Sequence, residues 1–200
     1  SFSPNIKERR DYSCAIFDAA GRMIAQAAHI PVHLGSMPAS VSAAIAKFTL
    51  SDQPKSKCLE AGDMIILNDP YQGGTHLPDI TLVMPVHSRV RGRQILVGFV
   101  ANRAHHADIG GSFPGSMSVA REIFQEGLII PPVHLMRRGK IVQGVYDLIL
   151  ANVRTREERA GDIDAQIAAN LRGHARFKEV IETYGFEQTH QAFSDQISYT

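Results

Sequence analysis

The sequence predicts an α+β protein: a mixed or antiparallel sheet assembled from hairpins, a helix packed on it after residue 36, and a helical C-terminal segment. Three observations predict it. β-rich runs come in pairs around short glycine-containing connectors, at 12–17 with 23–27 and at 80–86 with 95–101. Val41, Ile45 and Phe48 then recur at helical spacing, with Ala44 beside them. From about Gly144 onward the period changes, and Ile163, Ile167, Leu171, Phe177, Ile181 and Tyr184 trace an apolar stripe opposite Arg, Glu and Gln. The expected organisation is an α+β domain over residues 1–150 bearing the functional site, followed by a helical extension over 151–200.

In chain order, Tyr12–Phe17 and Met23–Ala27 read as two strands joined by Asp18-Ala19-Ala20-Gly21-Arg22, with the glycine placed where φ can turn positive. His29 to Gly35 is broken by proline and glycine and reads as a packed loop. Ser36-Met37-Pro38 reads as a helix start, the serine capping orphan amides and the proline in the first turn. A polar connector over 51–57 leads to Met64-Ile65-Ile66-Leu67, a short continuous apolar run of the kind that is covered on both faces. If the next two runs pair about Val90 and Arg91, Asp79 lies across from Asn102 and His76 falls opposite His105, within about two residues. Leu128 to Val133 reads as a strand ended by two prolines. Gly161 and Gly173 are expected to divide the late helix, and Gly185 to stop it.

Composition removes several classes of function. With 44% apolar and 20% charged residues and a net charge of +1, nothing favours nucleic acid or a membrane surface as partner. No apolar run approaches the ~20 residues of a bilayer span, so a cytoplasmic location is expected. Cys14 and Cys58 form no Cys-x-x-Cys pattern and are expected as free, buried thiols. A Gly-x-Ser-x-Gly elbow, a phosphate-binding Gly-x-x-x-x-Gly-Lys loop and a Gly-x-Gly-x-x-Gly motif are all absent, so any nucleotide is expected on another chain or domain. The basic clusters at 89–93 and 137–140 read as solvated loops.

Chemistry collects between Asn68 and Gly111. His76-x-x-Asp79 places an imidazole and a carboxylate where both can reach one ion, in a turn stiffened by Gly73, Gly74 and Pro78. The hairpin brings His105, His106 and Asp108 to the same end. Two histidines and one carboxylate without cysteine suit Mn²⁺, Fe²⁺ or Zn²⁺ and leave coordination positions open, which is a catalytic arrangement. Asp69 and Asp108 are candidate general bases or orienting partners, or else turn-forming Asx residues. Gly110 and Gly111 offer amides for an anion, and His29 and His33 a second layer or a substrate contact.

These stretches also resemble a known family. Asn5 to Cys14, His29 to Pro38, Asn68 to Asp79, Asn102 to Gly111, and Asn152-Val153-Arg154 with Glu158 to Gln166 are similar, in order and spacing, to the B subunits of ATP-dependent hydantoinases. That family includes the corresponding half of 5-oxoprolinase and the α subunit of acetone carboxylase. The resemblance implies cyclic-amide hydrolysis: an A-type partner subunit of actin-like kinase fold uses ATP to activate the substrate, and the B part completes ring opening. It implies a metal, manganese before zinc or iron, on His76, Asp79 and His105, with His106 a less favoured ligand. The turn from Tyr71 to Asp79 looks more like the hydantoinase and oxoprolinase branch than the carboxylase branch. The family's B subunits are longer, so the resemblance covers their N-terminal portion. Two alternatives accompany it, an assembly module docking on the A subunit through the Ile163–Tyr184 stripe, and a carboxylase.

Overall fold

The computed structural model describes residues 3–28, 31–49, 59–115 and 119–199. In chain order the elements are α1 (Pro4–Lys7), β1 (Tyr12–Asp18), β2 (Met23–Ala28), α2 (Val32–Thr49), β3 (Met64–Leu67), β4 (Asp79–Val90), β5 (Arg93–His105), β6 (Val133–Arg137), β7 (Lys140–Ile141), α3 (Gln143–Ala151), α4 (Arg156–Tyr184) and α5 (Phe186–Tyr199). The strands form one antiparallel sheet in the order β2-β1-β5-β4-β3-β6-β7. The two longest strands therefore lie side by side at its centre.

Strand alternation sorts the side chains onto two faces. Phe17, Ile65, Leu67, Val83, Phe99 and Ala101 point to one face, where Met37, Val41, Ala44 and Phe48 of α2 cover them. Met64, Ile66, Ile80, Leu82, Met84 and Val100 point to the other, under Ile163, Ile167, Phe177 and Ile181 of α4. The stripe on α4 is thus largely internal, with Leu171 and Tyr184 exposed. The helical segment expected after residue 150 lies across the sheet and shares its core.

Several expectations are corrected. Helix α2 starts at Val32, not at Ser36, so His33, Ser36 and Ser40 share one helical face and Pro38 is internal. The Ser36 hydroxyl donates to the Val32 carbonyl at 3.1 Å instead of capping. Pairing of β6 begins after the two prolines, at Val133, because proline cannot donate to a ladder. Helix α4 runs through Gly161 and Gly173 unbroken; Gly173 lies over Val100, where an added Cβ would stand 3.5 Å from its side chain. The central hairpin turns at Arg91-Gly92, both with positive φ of 49° and 80°, and a bulge between Val86 and His87 shifts the register so that Asp79 opposes His105, not Asn102. Helix α4 does end at Gly185, as expected. Cys14 is exposed, not buried. The connector over 51–57, Cys58 and His29 lie outside the described residues.

Candidate metal centre

Three polar side chains meet at the open end of the central hairpin. Asp79 is the first residue of β4 and His105 the last of β5, and the ladder sets them directly opposite each other. His76 arrives from the preceding turn, which is closed by the Asp79 amide donating to the His76 carbonyl at 3.0 Å. That turn is fixed at its base by Asn68, fully buried, whose amide nitrogen donates to the carbonyls of Leu77 (2.8 Å) and Leu128 (2.9 Å).

The ligand atoms form a small triangle. Asp79 Oδ1 lies 2.9 Å from His76 Nε2 and 3.0 Å from His105 Nδ1, and the two nitrogens are 3.1 Å apart. No placement of protons satisfies all three edges. If both nitrogens donate to the carboxylate, their N–H groups confront each other; if one is bare, its lone pair faces the anionic oxygen. A cation shared by the three lone pairs satisfies every edge, and neighbouring ligands around an ion with bonds of about 2.1 Å are themselves about 3 Å apart in an octahedral arrangement. The residues present therefore fit a divalent metal, and among the described residues this is the group of histidine, cysteine and acidic side chains close enough to hold one.

The surroundings hold Asp79 ionised. Burial pushes its carboxyl up, but hydrogen bonds from His105, His33, His76 and Thr75 outweigh burial and keep it well below the usual carboxylate range. The Thr75 hydroxyl donates to Oδ2, and His33 Nε2 stands 3.5 Å from the same oxygen. His33 Nδ1 lies 2.9 Å from Ser13 Oγ, and its Nε2 is also 3.8 Å from Asp11. His76 is raised above its ordinary value, chiefly by its hydrogen bond to Asp79. The His76 side chain is 39% exposed while that of Asp79 is 3%, so the triangle is open to solvent on the His76 side.

The remaining candidates are placed as follows. His106 points to the α4 face, where Nε2 meets Gln166 Oε1 at 2.8 Å; it is fully buried, and burial pushes its pKa down to about 4. Asp69 accepts from the Tyr71 amide (2.9 Å) and from Gln72 Nε2 (2.7 Å), closing the turn over Pro70–Gln72. Asp108 accepts from the Arg154 amide and guanidinium, both at 2.8 Å. The same guanidinium donates to the carbonyls of Gly110 and Gly111, so these glycines serve a loop closure, and the next amide, of Ser112, is bonded to the Gln125 carbonyl. Sequence reasoning missed Arg103, Ser36, Ser40, Ser13 and Thr75. The spacing of His33, Ser36 and Ser40 was the available signal, one polar stripe on a helix, hidden by reading a loop there.

An antiparallel sheet with helices on both faces and a His-x-x-Asp turn meeting a hairpin histidine defines an α+β protein with a candidate metal centre. More specifically, the whole chain, residues 1–200, matches the Hydantoinase B/oxoprolinase family, and the chain belongs to it. It is 45% identical to an uncharacterized protein of Methanocaldococcus jannaschii, over 100% of this chain and 34% of that protein. It is 39% identical to 5-oxoprolinase 1 of Arabidopsis thaliana, over 92% of this chain and 15% of that protein. Among solved structures it is similar to the ATP-dependent caprolactamase from Pseudomonas jessenii, with a TM-score of 0.83 and 34% identity over 93% of this chain and 30% of that one. The chain therefore spans between 15% and 34% of the length of these relatives. Among the described residues, no helix is long and apolar enough to cross a membrane.

Proposed function

We propose that this chain carries the metal centre of an ATP-dependent cyclic-amide hydrolase of the hydantoinase or oxoprolinase type, acting with an A-type subunit or domain that binds the ATP. The observation that carries the reading is the His76–Asp79–His105 triangle, whose three edges a shared cation would satisfy together. Support for the reaction class comes from family membership and from relatives described as 5-oxoprolinase and caprolactamase, both of which take a cyclic amide in their names. A divalent ion held there, manganese before zinc or iron, would supply Lewis-acid polarisation of a carbonyl or acidification of a water. Asp79 provides the negative charge. His33 and Thr75 hold its second oxygen so that the first faces the histidines. The exposed side of His76 is the approach for substrate. Asp69 and Asp108 both have their oxygens engaged in closing turns, and His33, 3.5 Å from Asp79 Oδ2, joins them as a candidate proton-handling group.

Metal titration of the purified protein tests the centre: one ion per chain is expected, and His76→Ala weakens binding by more than about 100-fold, since even outer partners of a ligand cost 10–100-fold. Turnover of 5-oxoproline or N-methylhydantoin with the A-type partner and ATP tests the reaction. Absence of bound metal from an active complex would falsify this mechanism, and bicarbonate dependence would transfer the chain to the carboxylase class.

A further inference from the structure

Arg103 is fully buried on the α2 face of β5, two residues ahead of His105. Its Nε donates to Thr81 Oγ1 at 2.8 Å, one terminal nitrogen to the Ser36 hydroxyl, and the other to Ser40 Oγ at 2.7 Å and the Gly73 carbonyl at 3.1 Å. All four acceptors are neutral, and the negative charge that favours the guanidinium is that of Asp79. A buried cation bonded only to neutral acceptors is costly, and an apolar side chain of similar size would fill the volume without that penalty, so packing alone does not account for it.

The acceptor that differs from the others is Gly73. Thr81, Ser36 and Ser40 sit on regular elements, whereas Gly73 lies in the turn that delivers His76. Ser40 Oγ donates to the same carbonyl at 2.6 Å, so Gly73 is held by two donors. The turn also lies directly on α2: at Gly73, with φ of 92°, an added Cβ would stand 2.5 Å from the Ala39–Ser40 peptide. The chain then has only Gly74 and Thr75 between this clamp and His76, which leaves the imidazole little freedom in where it arrives.

We propose that Arg103 is a positioning residue of the metal centre, its buried guanidinium clamping the Gly73 carbonyl to helix α2 and the central hairpin so that His76 is delivered to Asp79 and His105. This rests on the metal reading of the triangle. Arg103 acts through Gly73 and is not one of the metal-holding groups.

The test uses wild type, Arg103→Met, Arg103→Lys, Ser40→Ala, His76→Ala and the double variant Arg103→Met/His76→Ala. Each is titrated with Mn²⁺ by calorimetry at a temperature where circular dichroism shows it folded, and amide exchange is followed without metal across residues 70–79. Arg103→Met is expected to weaken Mn²⁺ binding 10–100-fold, to accelerate exchange in the turn but not in the β1–β2 hairpin, and to add nothing once His76 is gone. Arg103→Lys, which keeps the charge but not the fork, and Ser40→Ala shift both readouts the same way by less, and they report if Arg103→Met does not fold. A folded Arg103→Met with wild-type affinity and unchanged exchange overturns the proposal, as does an equal further loss in the His76→Ala background. If the wild type binds no Mn²⁺, the metal reading fails separately; exchange then judges the clamp, with selective acceleration supporting it and none refuting it.

Discussion

Replacing His106 with glutamine separates the roles of the two adjacent histidines at the end of β5, His105 within it and His106 just beyond it. His106 is fully buried against Gln166, with Asp162, Arg159 and His105 as its charged or titratable surroundings, and burial pushes its pKa from 6.5 down to about 4. A group depressed in the folded state binds its proton more readily in the unfolded chain. Its stabilising contribution is therefore complete above about pH 6.5 and is lost as the pH falls toward 4. At about 1.4 kcal/mol per unit, the full loss is about 3 kcal/mol, of which about 2 is gone at pH 5. For a chain of this size that corresponds to a melting temperature lower by about 4–8 °C at pH 5 than at pH 7.5. His106→Gln cannot titrate there, so the difference between its stability and that of the wild type narrows by about that amount as the pH is lowered, which urea unfolding at the two values measures. Comparing the two proteins cancels His76 and His33, present in both, and a cation at His105 would push His106 in the same direction. The variant is also expected to retain Mn²⁺ binding. A pH-independent difference, or loss of metal binding in a folded variant, would refute the assignment of His106 to the α4 face.

Three further substitutions test what holds the site in place. Gln166→Leu leaves the Ile80 carbonyl, Asn102 Oδ1 and His106 Nε2 without their partners and should cost about 3 kcal/mol in urea unfolding, at about 1 per orphaned group. Gly98→Ala should cost a similar amount, about 3 kcal/mol, because the new Cβ would stand 2.3 Å from the Phe17 carbonyl oxygen and 2.8 Å from the Phe177 ring, and a central strand cannot move aside. Asp108→Asn weakens the clamp on the Gly110–Gly111 loop; with Arg154 39% exposed the loss should stay near 1 kcal/mol, while Mn²⁺ affinity is unchanged, and proteolysis within 107–127 should quicken.

The parts of this fold that depend on local pattern could be read from the chain. Met64–Leu67 is apolar throughout because both of its faces are covered, and Gly185 ends α4 where an apolar period ends. What could not be read depends on partners distant in sequence. Pro31 and Gly35 argued against a helix through His33 and Pro38 argued for a start at Ser36, yet the core contacts of Met37, Val41 and Ala44 go with an α2 that begins at Val32 and runs through Gly35 and Pro38. Arg103 and Asn68 carry no sequence signature of their buried roles, since those roles are defined by acceptors on α2, on the metal turn and near residue 128. Asp69 and Asp108 resembled catalytic carboxylates in composition, and only their engaged oxygens show the turns that they close.

Which histidine joins His76 and Asp79 in the candidate metal centre turns on one residue. Near the turn the hairpin pairs Val90 with Arg93 and His87 with Leu96; carried to the far end without interruption, that register would set Asp79 opposite Ala104 and put His106 on its face. The register expected from the sequence, with Asp79 opposite Asn102, has the same parity and would also favour His106. The bulge between Val86 and His87 leaves Val97 without a counterpart, advances β5 by one, and rotates His105 onto the face that Asp79 shares with Arg103 and His33. Both Val86 and Val97 are buried in the α4-side core, so apolar packing near the middle of the hairpin has a direct consequence at its end. Resemblance to the family pointed to His105 without a physical reason; the bulge supplies it. It follows that the candidate metal centre is specified as much by two valines in the core as by the histidines and aspartate that form it.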